Sequence, residues 1–137
     1  MIHSVKTSWK GNMKFDSNVN GHSVLMDAVP DVGGEDLGPR PKQLLLSALA
    51  GCTGMDVISI LNKMRVEPDA LTIDITADVT DEHPKQYSAM HIVYNFKGKG
   101  LDPEKLKKAV DLSQERYCGV SAMFRKAMEL SFEIRII

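Results

Sequence analysis

The sequence predicts an α+β fold with antiparallel sheet, and three observations carry that prediction. Segments with period-two alternation come in runs, three before residue 28 and two between residues 68 and 98. A long apolar stretch, Pro41–Arg65, separates the two runs. Two shorter stretches of helical period then precede a final strand. Strands and helices therefore do not alternate one by one, as a doubly wound fold requires. The order is βββ-α-ββ-α-α-β in a single domain spanning 1–137.

Ile2–Trp9 opens the chain, with the strand formers Ile2, Val5, Thr7 and Trp9 set among polar residues. Lys10-Gly11-Asn12 is a turn and Met13–Asp16 a short second strand. Asn20-Gly21 is a strong two-residue hairpin signal, and Ser23–Asp27 returns as a third strand. Pro30–Pro39 is a loop rich in glycine, proline and acid. A loop entering the N-terminus of a buried helix is a good place for a binding site, and Arg40 and Lys42 bring positive charge to it.

In the long stretch, Pro41 suits a first helical turn, where its missing N–H costs nothing. Leu44, Leu45, Ala48, Leu49, Cys52, Met55, Val57, Ile60 and Leu61 recur at three- and four-residue spacing, and Lys63 and Arg65 suit the C-terminal end. The helix is apolar almost all round, which predicts burial in the middle of the domain. Gly51 and Gly54 bracket Cys52 and Thr53. Each costs about 1 kcal/mol relative to alanine in a helix, a cost met where close packing or a ligand needs the room. The length approaches a membrane span, but Ser47, Thr53, Asp56 and Ser59 interrupt it and basic residues flank it. One small sheet and two shorter helices are too little to cover such a helix, so a homodimer is expected.

Beyond it, Pro68–Thr80 places Leu71, Ile73, Ile75, Ala77 and Val79 on one face, as a half-buried strand does. A charged turn, Asp81–Gln86, leads to the answering strand Tyr87–Gly98. Asp102-Pro103-Glu104 opens a helix running to about Tyr117, with aspartate as N-cap and proline at the first helical position. Cys118-Gly119 breaks the pattern. Val120–Leu130 is a third helix and Ser131–Ile137 a closing strand.

Seventeen basic against 18 acidic side chains give a net charge of −1, which argues against a nucleic-acid or membrane-surface partner held by electrostatics. Met1–Lys10 has no apolar run of signal-peptide type. Two cysteines without a secretory signal suggest a reducing, cytoplasmic setting, where a pair is catalytic, redox-active or incidental. His3, His22, His83 and His91 have no metal-ligand spacing, and no CxxC motif is present, so no metal is expected. Read from its own stretch alone, Cys52 is in the first place a small buried core residue, since free cysteine is among the most buried types.

Two stretches, GPRPKQLLLSALAGCTGMDVISIL around Cys52 and AVDLSQERYCGVSAMF around Cys118, together with the element order, resemble the OsmC/Ohr family. The resemblance covers nearly the whole chain. Within the family it is similar to the YhfA-like branch more than to the hydroperoxide resistance proteins. It implies an OsmC-like fold and an intertwined homodimer with the long helices at its centre. It also implies peroxiredoxin-like thiol chemistry in an oxidative stress response, acting on a small hydrophobic peroxide. Carried onto this chain, Cys52 is the peroxidatic thiolate and Cys118 resolves its sulfenic acid to a disulfide. No bound cofactor is implied; an external dithiol, dihydrolipoamide-like, restores the thiols.

The family's peroxidases pair an arginine from the N-terminal region with a glutamate ten positions before the first cysteine. Here that position is Lys42, followed by Gln43, and no arginine precedes Arg40. Arg40 or Lys42 remain as candidate cations, and Glu35 or Glu115 as candidate acids. Three classes of function stay open: a hydroperoxide-reducing enzyme, a non-catalytic binder of a hydrophobic small molecule at the dimer interface, and a redox-sensing or structural dimer.

Overall fold

The N-terminal strand and turn signals fold as an antiparallel meander of β1 (Lys6–Trp9), β2 (Phe15–Val19) and β3 (His22–Met26). Asn20 and Gly21 both have positive φ, 52° and 83°, and join Val19 to its partner His22 in the tight turn that this dipeptide favours. β2 starts two residues later than the alternation predicts. The turn extends to Lys14, whose N–H donates to the Gly11 carbonyl, so pairing starts at Trp9 and Phe15. The loop beyond β3 includes a 3₁₀ turn, Pro30–Val32, and is organised by Asp27. The Asp27 carboxylate accepts from the N–H groups of Ala28, Glu35 and Leu37 at 2.7, 3.2 and 3.1 Å. Gly34 is required there, because a Cβ would stand 1.9 Å from the Ala28 carbonyl oxygen.

The computed structural model describes residues Met1–Ile137, and these divide into two compact units, Met1–Leu45 and Leu46–Ile137. The boundary falls in the first turn of α1 (Leu44–Lys63). The second unit continues with β4 (Ala70–Val79), β5 (Tyr87–Lys97), α2 (Pro103–Leu112), a π-helical turn (Ser113–Tyr117), α3 (Gly119–Arg125) and β6 (Glu129–Ile136).

β4 and β5 form the predicted long antiparallel hairpin, in register from Ala70–Lys97 to Asp78–Ala89, with an irregularity at Val79. β6 differs from the antiparallel expectation: it pairs with β5 in parallel, from Ala89–Glu129 to Phe96–Ile136. The cause is the connection. Parallel neighbours need a long crossover, and α2, the π turn and α3 supply one.

One face of this sheet carries Met90, Ile92, Tyr94 and Phe96, all buried. They join Leu49, Val57 and Leu61 of α1 and Leu106, Ala109 and Val110 of α2 in one core. Each such aliphatic side chain contributes about 1.5–3 kcal/mol by leaving water. The α1 residues fully buried are Leu49, Thr53, Val57 and Leu61, a single stripe at four-residue spacing. Gly54 lets this face approach β4, since a Cβ would lie 3.0 Å from Ile73 Cδ1. The sequence predicts a helix buried all round, but within the second unit only this one side is covered. Met55 is 77% exposed, and Leu45 and Ile58 are on the surface. By length and composition α1 could also cross a membrane; its buried stripe instead packs as the core helix of a folded unit.

The expected helix over 102–117 stays α-helical only to Leu112. Asp102 caps it, accepting from the Glu104 N–H at 3.0 Å. It then widens into the π turn, a form often found at functional sites. Cys118 follows in extended conformation and caps α3, its sulfur 3.4 Å from the Ser121 N–H. α3 is shorter than predicted, ending at Arg125, because the chain turns at Lys126–Met128 to enter β6.

Candidate functional site

α1 presents Cys52 at its midpoint, and the break between the π turn and α3 presents Cys118. Their sulfurs lie 3.1 Å apart, both as free thiols. Cys118 is 3% exposed and Cys52 is half-buried, so Cys52 is the sulfur that a reactant reaches first. A disulfide bond is about 2.05 Å long, so closure asks for roughly 1 Å of approach.

Asp56 stands one helical turn after Cys52. Its carboxylate and the two sulfurs all lie within 4.8 Å of one another. The sulfur spacing differs from that of a zinc site: thiolates sharing a zinc at about 2.3 Å stand about 3.8 Å apart, wider than the 3.1 Å here.

A polar chain runs from the exposed Arg125 to the half-buried Asp56, and its middle members, Gln114, Tyr94, Thr53 and Ser113, are buried. Arg125 Nη2 donates to Gln114 Oε1 at 2.7 Å, and its Nη1 donates to the Gln114 carbonyl oxygen. Gln114 Nε2 donates to the Tyr94 hydroxyl at 2.7 Å and lies 3.2 Å from Thr53 Oγ1. Tyr94 and Thr53 are 2.7 Å apart, as are Thr53 and Ser113. Ser113 Oγ donates to Asp56 Oδ2 at 3.0 Å. A guanidinium only donates and a carboxylate only accepts. The hydroxyl protons between them therefore point one way: Tyr94 to Thr53, Thr53 to Ser113, Ser113 to Asp56. Burial is the foremost influence on the Tyr94 phenol and pushes its pKa up, against its hydrogen bonds with Thr53 and Gln114.

The Cys52 thiol is also pushed up. Burial is the largest cause, and the neighbouring Cys118 and the Asp56 charge act in the same direction. A hydrogen bond from the Val120 N–H opposes them by favouring the thiolate.

Of the auxiliary candidates, Arg40, Lys42, Gln43 and Glu35 all belong to the first unit. Arg40 donates to Asp36 at 2.6 Å and to the Gly38 carbonyl at 2.8 Å. Glu35 accepts from Lys14 at 2.7 Å and from Asn12. These bonds keep its carboxyl below the ordinary range, the Lys14 bond foremost. Lys42 and Gln43 are exposed in the turn before α1. Glu115 is exposed on the π turn, where its charge acts on Lys107, and it lines a surface groove with Lys108 and Asp111. The structure therefore brings together Cys52 and Cys118, while Glu115 faces the surface.

The residues that sequence reasoning missed are Asp56, Ser113, Thr53, Tyr94, Gln114 and Arg125. One signal was available: an aspartate four positions after a cysteine, on an otherwise apolar helix, shares its face. The exposed side of α1 also forms an open groove of about 700 Å³ lined by Gly51, Gly54, Met55, Ile58, Ser59 and Asn62.

Comparison with known proteins adds the following. A family profile described as "OsmC-like protein" matches residues 33–133. Protein YhfA of Escherichia coli strain K12 is 29% identical over 133 residues, 96% of each chain. A hypothetical protein from Aquifex aeolicus VF5 superposes with a TM-score of 0.85 at 30% identity, over 100% of this chain and 98% of that one. The organic hydroperoxide resistance protein OhrB of Bacillus subtilis superposes with a TM-score of 0.68 at 20% identity, over 98% of both chains, a likeness of fold.

Proposed function

The chain belongs to the OsmC-like protein family, and from that premise we propose that it reduces organic hydroperoxides with the Cys52/Cys118 pair. The observation that supports this most is the 3.1 Å between two free sulfurs brought together from distant segments. Cys52, the more accessible, attacks the terminal peroxide oxygen as thiolate. The O–O bond breaks, an alcohol leaves and Cys52 becomes a sulfenic acid. Cys118 then attacks the Cys52 sulfur, water leaves and a disulfide forms. An external dithiol of dihydrolipoamide type reduces it by two exchanges, without a bound cofactor.

The Val120 N–H supports the thiolate, whereas burial and Asp56 oppose it. On this reading reaction is slower than in a site with a cation against the sulfur. The half-covered α1 supports a homodimer in which a second copy packs on Met55 and Ile58, and two free thiols suit a reducing compartment such as the cytoplasm. The open groove there favours one second reading, non-catalytic binding of a hydrophobic small molecule at the dimer interface. Native mass spectrometry with a lipid panel speaks against that reading if nothing co-purifies and nothing shifts.

The test of the first reading is the intact mass of reduced protein after stoichiometric cumene hydroperoxide. A loss of two hydrogens, mapped to Cys52–Cys118 and absent in Cys52→Ser, supports it. Thiols unchanged under conditions that oxidise the B. subtilis relative overturn it.

A further inference from the structure

We propose that Asp56 carries the proton in the closing step of this site, taking it from Cys118 as that sulfur attacks and giving it to the oxygen that leaves Cys52. The proposal rests on the hydroperoxide reading, which supplies the sulfenic acid. The step needs such a group. The Cys118 lone pair forms the S–S bond, the S–O bond of Cys52 breaks, and its electron pair leaves with the oxygen. A proton must pass from the Cys118 sulfur to that oxygen for water to form. Cys118 is 3% exposed, so bulk water is poorly placed to do this.

Asp56 fits by position. Its carboxylate lies within 4.8 Å of both sulfurs, the range of a proton acceptor acting directly or through one water. It is also held. Ser113, fully buried, donates to Oδ2, and the chain through Thr53, Tyr94 and Gln114 back to Arg125 fixes the direction of that bond. The carboxylate is thereby fastened through Oδ2 while it stays within reach of both thiols. A lone aspartate in the half-buried middle of an apolar helix otherwise costs stability. The ionisable groups that the structure places against Asp56 are Cys52 on its own helix and Cys118 at the head of α3. Tyr94 of β5 and Arg125 of α3 reach it only through the chain.

The carboxylate acts oppositely on the two steps. Its negative charge opposes the Cys52 thiolate and so slows the first; its basicity speeds the second. The experiment follows both in wild type, Asp56→Asn and Asp56→Glu, using stoichiometric cumene hydroperoxide, timed quenching with a sulfenic-acid-trapping diketone, and mass analysis across pH. In Asp56→Asn, sulfenic acid forms at least as fast as in wild type. Its conversion to disulfide slows about tenfold or more near neutral pH and recovers at higher pH, where hydroxide replaces the carboxylate as base. Asp56→Glu recovers part of the closing rate, and also carries the test should Asp56→Asn not fold. A merely structural role slows both steps together, which overturns the proposal. Closure in Asp56→Asn at the wild-type rate and pH profile overturns the proposal alone, leaving the hydroperoxide reading intact. Wild-type protein that forms no sulfenic acid overturns the reading, and this proposal with it.

Discussion

The hydroxyls of Thr53 and Tyr94 meet at 2.7 Å between α1 and β5, and neither residue has any exposure to solvent. Each is wedged in apolar surroundings, so each bond stands in place of a lost bond to water. Tyr94→Phe keeps the ring and its edge contact with Phe132, but leaves Gln114 Nε2 with only its longer 3.2 Å contact to Thr53 and takes away the hydroxyl that donates to Thr53. Stranding a buried polar group costs about 1–3 kcal/mol. A lower urea midpoint with unchanged slope, whose product with that slope gives this loss, is the expected result. Combined with Thr53→Val the losses are less than additive, because the two share one network.

Cys52 has a thiol held above its ordinary pKa by burial first, then by Cys118 and Asp56. Alkylation of the folded protein by iodoacetamide therefore has its midpoint above that of free cysteine, about 8.5. The linkage sign follows from the raised value. The stabilising contribution is full below the unfolded thiol pKa and is lost as pH rises through the folded one. Cys52→Ser flattens this alkaline decline. A midpoint at or below the ordinary value refutes the direction given.

Removing the resolving thiol separates the halves of the reaction. Cys118→Ser still forms a sulfenic acid on Cys52 with one equivalent of peroxide, but no disulfide. Excess peroxide then drives Cys52 on to the sulfinic acid, a gain of two oxygens by mass, because the internal thiol that rescues it is gone. Wild type under the same excess stops at the disulfide. A Cys118→Ser protein that stays unoxidised while wild type reacts reverses the roles of the two sulfurs.

Much of this was legible in the chain. Period-two runs and the Asn20-Gly21 turn gave the strands of both sheets, and the Asp102-Pro103 signal gave the start of α2. The two cysteines could be singled out, because family-like stretches surround both. The parallel pairing of β6 was not legible: SFEIRII has the same pattern in either direction, and only packing of the crossover decides. The π turn was hidden for a similar reason. Ser113 and Gln114 look like ordinary helix-surface residues until Tyr94, 19 positions earlier than Ser113 in the chain, is placed beside them. Asp56 was visible but read only as an interruption of an apolar stretch.

Asp27 predicts an acid sensitivity local to the first unit. Burial raises its carboxyl pKa, but bonds from Ala28, Leu37 and Glu35 N–H groups, with the charge of Lys14, outweigh it and leave the value lowered. A lowered folded value means stability that is present above the unfolded pKa, about 3.9, and is lost as pH falls through the folded one. Amide protection at Glu35 and Leu37 should persist at pH 5 and fade in that acid window, as followed by hydrogen exchange. Asp27→Ala loses it at neutral pH, since no side-chain acceptor then remains for the Glu35 and Leu37 N–H groups. Unchanged protection in that variant refutes the role given to the carboxylate.

Met55 is 77% exposed and Ile58 38%, on a helix whose other side holds the core, and a Cβ at Gly51 meets nothing within 4 Å. Small residues beside exposed apolar ones leave room for a second helix to approach closely, and burying a Met or Ile side chain contributes about 1.5–3 kcal/mol. In a symmetric pair each loss counts twice. Met55→Lys removes two such side chains and buries two charges across a shared axis. Dimer affinity should fall by at least a hundredfold, about 2.8 kcal/mol. Sedimentation equilibrium at micromolar protein reads this directly: a dimer for wild type, a monomer for the variant, with the 3.1 Å thiol pair still able to close within one chain. Monomeric wild type, or an unshifted Met55→Lys dimer, would mean that α1 is not the surface through which two copies meet.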